Sequence, residues 1–237
     1  MEVFSSIFTI ICSVILPITL AVVFCVRRKG IWKPILFGTL TFVVFQVLTR
    51  IPLLQLVLPN QPWFITLANT QPILYGLFLG STAALFEEGG RYVVMSLFLK
   101  KHKSPSDGIA FGVGHGGIEA ILLVGISAIM VLFTNPFPTT PSLMFAGGIE
   151  RLCTLVLHIG WSVMVIKSVR EKNLWWLLIA FVTHMLIDFG AVVFVSSIGV
   201  WALEAAILVV ALMMAWFIVK EYKTYKDKDK LSNENAD

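Results

Sequence analysis

Apolar residues run along the chain in long stretches near residues 5–26, 34–58, 63–99, 107–133, 143–166, 174–197 and 199–219, each bounded by Pro, Gly, Asn or charged positions. A helix rises about 1.5 Å per residue, so about 20 apolar residues cover a hydrocarbon core of roughly 30 Å. The pattern therefore predicts an all-α, polytopic bundle of about seven transmembrane helices. The third stretch, about 37 residues with Pro72, Gly76, Gly80 and the Gly89-Gly90 pair, is too long for one perpendicular crossing. It is expected to be tilted, broken or preceded by an interfacial helix. Met1 to Val26 opens on an acidic residue and has no small-residue cleavage site after its apolar run, so it is expected to be a retained helix.

With 57% hydrophobic and 14% charged residues and a mean hydropathy of +0.87, a water-soluble domain is excluded. The expected organisation is one transmembrane helical domain over 1–220 and a polar cytoplasmic tail over 221–237. The net charge of +4 sits in short connections, Arg27-Arg28-Lys29, Lys100 to Lys103 and Lys167 to Lys172, and in the Lys220 to Lys230 segment. These alternate with connections nearly free of charge, which places the N-terminus outside and the C-terminus inside. No stacking aromatics accompany the basic clusters, so they report orientation in a lipid bilayer and not nucleic-acid binding. Cys12, Cys25 and Cys153 lie in apolar runs without metal-type spacing and read as small hydrophobes. The tryptophans read as interfacial belts and packing.

The ionisable residues within the stretches change the picture. Each costs several kcal/mol in a bilayer, so each is a candidate for function. They are Glu87, Glu88, Arg91, His115, Glu119, Glu150, Arg151, His158, His184 and Asp188, with Glu204 isolated in the last stretch. Counted from the basic connections, Glu87 lies about 13 residues in, His115 about 8, His158 about 9 and His184 about 11, which puts all four at depths of roughly 12 to 20 Å. Helices of alternating direction thus deliver titratable groups to one layer, as a single buried site requires.

Residues four apart share a helix face, so Glu87 can pair with Arg91, and His115–Glu119 and His184–Asp188 each couple an imidazole to a carboxylate. Such a carboxylate either orients its histidine or joins it on a metal. Zn²⁺ takes His nitrogens and carboxylate oxygens and acidifies a bound water, whose proton a nearby carboxylate accepts. The candidate ligands are His115, Glu119, His158, His184 and Asp188. No His-Glu-x-x-His motif is present, so any metal site must be assembled between helices. Glu150 and Arg151, nearer the outer face, read equally well as a structural ion pair, and Arg50 and Glu204 as snorkelling or pair-forming residues.

Phe86-Glu87-Glu88-Gly89-Gly90-Arg91, Phe111-x-x-x-His115 and His184-x-x-x-Asp188 resemble the three-motif pattern of the CAAX-protease and bacteriocin-processing superfamily of intramembrane proteases and its PrsW-like relatives. The block from Gly114 to Glu119, with Glu150-Arg151 and His158 downstream, most resembles the YhfC-type subgroup. The resemblance covers about residues 80 to 190. It implies a prokaryotic plasma-membrane endopeptidase acting on a membrane protein or peptide. In it Glu87 activates the water, His115 and His184 bind the metal or polarise the reaction, Asp188 supports His184, and Glu88 and Arg91 shape the site. Zn²⁺ is the implied cofactor, with a metal-free glutamate mechanism as the alternative. A proton- or metal-coupled transporter and a non-catalytic immunity or scaffold protein are the competing readings of the same polar layer.

Overall fold

The computed structural model describes residues 1–134 and 139–234, with side chains described as far as Lys230; residues 235–237 of the expected tail lie outside the described residues. Among the described residues the chain is helical throughout, without strands: α1 Glu2–Arg27, α2 Trp32–Asn60, α3 Pro62–Thr70, α4 Pro72–Phe98, α5 Pro105–Val131, α6 Pro141–Glu171, α7 Trp175–Ile198 and α8 Val200–Glu234. Proline at a first helical position opens α3, α4, α5 and α6, where its missing N–H costs nothing. Ser104 caps α5 reciprocally, its hydroxyl accepting from Asp107 N while Asp107 Oδ2 accepts from Ser104 N at 3.0 Å. Lys172, in the left-handed region at φ 53°, ends α6.

Among the described residues, six helices are long and apolar enough to cross a membrane: α1, α2, α5, α6, α7 and α8 as far as Lys230. The remaining long helix, α4, has 27 residues and therefore the length of a span, but Glu87, Glu88 and Arg91 break its apolar character. The long third stretch is two helices, α3 and α4, separated at Gln71 ahead of Pro72. Helix α8 continues through Lys220 to Glu234, and its buried Glu221 accepts from Lys167 Nζ and from Arg170 Nη2, both at 2.5 Å.

The bundle is built around α5 and α6. In their most apolar windows 61% and 67% of residues are buried, against 22% or less in the other spans. Glycines permit the close approach. A Cβ on Gly112 would stand 2.4 Å from Ile159 Cα of α6, and one on Gly114 2.0 Å from the Ile35 carbonyl of α2. Helix α6 also packs on α1, α4, α7 and α8, and α4 runs along α7. Large apolar side chains such as Val26, Leu48, Leu56 and Met213 point outward, as the lipid-facing surface of a membrane bundle requires.

Candidate functional site

The polar layer converges where α4, α5, α6 and α7 meet. Helix α4 presents Glu87 and Glu88, with Arg91 one turn on, all buried. Glu87 Oε2 lies 2.9 Å from His115 Nε2 of α5 and 3.2 Å from Arg91 Nη2, while its Oε1 accepts from Gln46 Nε2 of α2 at 2.7 Å. Glu88 Oε1 accepts from Arg91 Nη1 and lies 2.8 Å from His184 Nδ1 of α7; its Oε2 is buried without a hydrogen-bond partner among the described residues. Arg91 Nη2 also reaches His158 Nδ1 of α6 at 2.8 Å. One guanidinium thus faces two carboxylates and an imidazole in a water-poor interior, where an unpaired charge is very costly.

Glu119 does not pair along its own helix with His115. Arg151 Nη1 of α6 holds its Oε1 at 3.0 Å, and its Oε2 lies 2.8 Å from His158 Nε2, off the line that a hydrogen bond needs. His115 Nδ1 is likewise buried and unpartnered. Glu87, His115, Glu119 and His158 each offer one ligand atom, all within 4.8 Å of one another and all buried. This is the one such group among the described residues, and its nitrogen and carboxylate donors suit a borderline cation such as zinc.

The other sequence candidates stand beside this group. His184 is bonded to Glu88, lies 4.0 Å from Glu87 Oε1 and stacks on the Trp161 indole at 4.1 Å between ring centres. Asp188 is 3.6 Å from His184 Nε2, with its carboxylate partly exposed. Glu150 pairs with Arg151, which joins that pair to the polar layer through Glu119.

A family model for YhfC intramembrane metalloproteases matches residues 12–137 and 134–214. A protein of Bacillus subtilis (strain 168), described as uncharacterized membrane protein YhfC, is 30% identical over 245 aligned residues, which cover 90% of this chain and 93% of that protein. The chain belongs to the YhfC intramembrane metalloprotease family. It is an integral membrane protein, and its buried Glu/His/Glu/His group is compatible with a metal ion, in keeping with the description of the family as metalloproteases. No solved structure matches the chain.

Two partners of the site in this YhfC-family chain, Gln46 and Trp161, escaped the sequence reading, and Arg50, read as snorkelling or pair-forming, takes the second course. Gln46 sits where α2 loosens into a wider, π-type turn over Val43–Arg50, a feature frequent at functional sites, and so reaches Glu87. Arg50 of the same turn turns inward to Gln46 Oε1 at 3.3 Å and to the Leu79 carbonyl at 2.8 Å instead of snorkelling. Trp161 holds the His184 ring and donates from Nε1 to Thr183 Oγ1 at 3.0 Å, so it is no interfacial belt residue. Gln46 and Arg50 had a legible signal, since a polar side chain inside an apolar run needs a partner. Trp161 had none.

Proposed function

We propose that the protein is a zinc-dependent intramembrane endopeptidase that hydrolyses a peptide bond in a membrane protein or peptide. The observation that carries this reading is the buried Glu87/His115/Glu119/His158 group lying beside a second carboxylate, Glu88, with a free oxygen. In this reading α4 is a seventh span, the N-terminus faces outward, and the basic connections and the polar tail after residue 220 face the cytoplasm of a bacterial cell. The bacterial plasma membrane is supported by the Bacillus relative.

Glu87, His115, Glu119 and His158 would hold the metal, with Arg151 fixing Glu119 and Gln46 fixing Glu87. When bound, the metal supplies Lewis-acid polarisation and lowers the acidity threshold of a water molecule. Glu87 is hydrogen-bonded through both oxygens, so we assign proton transfer to Glu88 rather than to Glu87, the residue to which the superfamily resemblance gives it. Glu88 Oε2 accepts a proton as the water oxygen bonds to the scissile carbonyl carbon. It returns that proton to the amide nitrogen as the C–N bond breaks, leaving a carboxyl and an amine terminus. Arg91 and His184, the latter held by Trp161, both fix the Glu88 carboxylate through Oε1 and leave Oε2 for the proton.

The test is a cleavage assay in phosphatidylethanolamine/phosphatidylglycerol vesicles with a library of internally quenched apolar peptides. Wild-type protein is expected to release fluorescence. Glu88→Gln is expected to be slower by about 10²–10⁴-fold with its metal content unchanged. Equal rates for the two proteins would refute the assignment, and ion flux across the vesicles without cleavage would favour the transporter reading.

A further inference from the structure

Helices α4 and α7 touch closely over one half of their length and part over the other. A Cβ on Gly76 would stand 2.5 Å from Val193 Cγ2, and one on Gly80 2.6 Å from the Met185 carbonyl. Beyond the Glu88–His184 contact, toward the basic connection that joins α6 to α7, the same helices line a cleft of about 750 Å³. Leu85, Trp175 and Phe181 supply apolar walls, Lys172 stands at the connection, and Glu88 lines the interior. Leu85, Trp175 and Lys172 are exposed, whereas Glu88 is fully buried and its Oε2 has no hydrogen-bond partner among the described residues. A Cβ on Gly89 would meet nothing within 4 Å, so the α4 backbone itself is open to an occupant.

We propose that this cleft receives the substrate, as an extended apolar peptide segment that carries an acidic group at the end nearest Lys172. The proposal rests on the endopeptidase reading and names the substrate class and its point of entry. An apolar wall with a buried carboxylate, Glu88, among its lining residues suits a chain that is apolar in its side chains and still carries N–H donors, which is what an extended peptide offers. A lipid acyl tail would fill the walls but bring no donor to Glu88. The cationic side chain at Lys172 complements a carboxylate and opposes a basic residue.

The test uses the full chain in phosphatidylethanolamine/phosphatidylglycerol vesicles and a dansylated nonapeptide of Leu, Val and Ser ending in Glu. Binding is read as energy transfer from the protein's tryptophans to the dansyl group. Gly89→Leu, which places a side chain in the cleft, is expected to weaken binding about tenfold or more. Lys172→Glu is expected to weaken the Glu-ended peptide severalfold and to strengthen a Lys-ended twin. Melting temperature and metal content of both variants should match wild type, which separates cleft filling from misfolding.

Unchanged affinity in both variants, no peptide binding at all, or labelling of the cleft by a photoreactive phospholipid that the peptide fails to displace would overturn the proposal. Peptide that binds with the expected variant pattern but is never cut would support the cleft and defeat the endopeptidase reading alone. Peptide that is cut equally well by wild type and Gly89→Leu would defeat the cleft alone.

Discussion

Arg91→Met is expected to destabilise the fold by about 3–5 kcal/mol, because it removes the shared cation from two buried carboxylates. The side chain of Arg91 is fully buried and donates to Glu87 and Glu88 of its own helix and to His158 of α6, so its loss unties two helices as well as uncovering the carboxylates. Methionine fills a similar volume but offers no donor to either carboxylate. The variant should appear as aggregated or low-yield protein in detergent, with a greatly lowered melting temperature for any folded fraction. Adding Glu88→Gln removes one of the opposed charges and should recover part of the loss. If Arg91→Met melts like wild type, the guanidinium is not the electrostatic keystone of the site, and the carboxylates must be neutralised in another way.

The second large effect is expected at Glu87. Glutamine has nearly the same shape, but its amide presents an N–H₂ to one side and keeps an acceptor only on the other. Glu87 takes donors on both oxygens, from Gln46 on one and from Arg91 on the other, with His115 Nε2 at 2.9 Å. Glu87→Gln therefore sets a donor against a donor and also removes an anionic member of the metal-capable group. Cleavage should fall by about 10³-fold or more, and metal affinity should fall with it, which distinguishes Glu87 from Glu88. Gln46→Ala should act more mildly, by about tenfold to a hundredfold in metal affinity, as loss of a supporting hydrogen bond to a ligand does. Isothermal titration of metal-stripped protein, run beside the peptide assay, measures both quantities.

The layer formed by Glu87, His115, His158 and His184 was legible in the sequence because an ionisable side chain in an apolar run is expensive and its depth follows from counting along a helix. The helical bundle was legible from the apolar stretches, whose lengths match a hydrocarbon core of roughly 30 Å. The partners of Glu119 were not. Spacing along α5 assigns it to His115, but Arg151 from α6 draws one oxygen away and His158 comes to stand beside the other. Competition of this kind depends on how helices are rotated against each other, which periodicity alone does not specify.

Asp188 shows the same limit, since His184 turns its Nδ1 to Glu88 and meets Asp188 only at 3.6 Å. The long third stretch carried its own signal in Pro72, and the structure resolves it as α3 and α4. The number of apolar spans did not follow from the stretches, because Glu87, Glu88 and Arg91 leave α4 outside the six helices that are apolar enough to cross a membrane. Trp161 lay hidden, since an indole in an apolar run is no anomaly, whereas Gln46 was marked only by the polarity of an amide among apolar neighbours.

The most direct test of the account is metal content, measured by elemental analysis on purified wild-type protein and on three variants. About one zinc per chain is expected in wild type and in His184→Ala, and well under half of that in His115→Ala and His158→Ala. Zinc retained by His158→Ala but lost from His184→Ala would contradict the group built from Glu87, His115, Glu119 and His158. Folded wild-type protein, prepared without chelator and containing no metal, would contradict the metalloprotease reading itself.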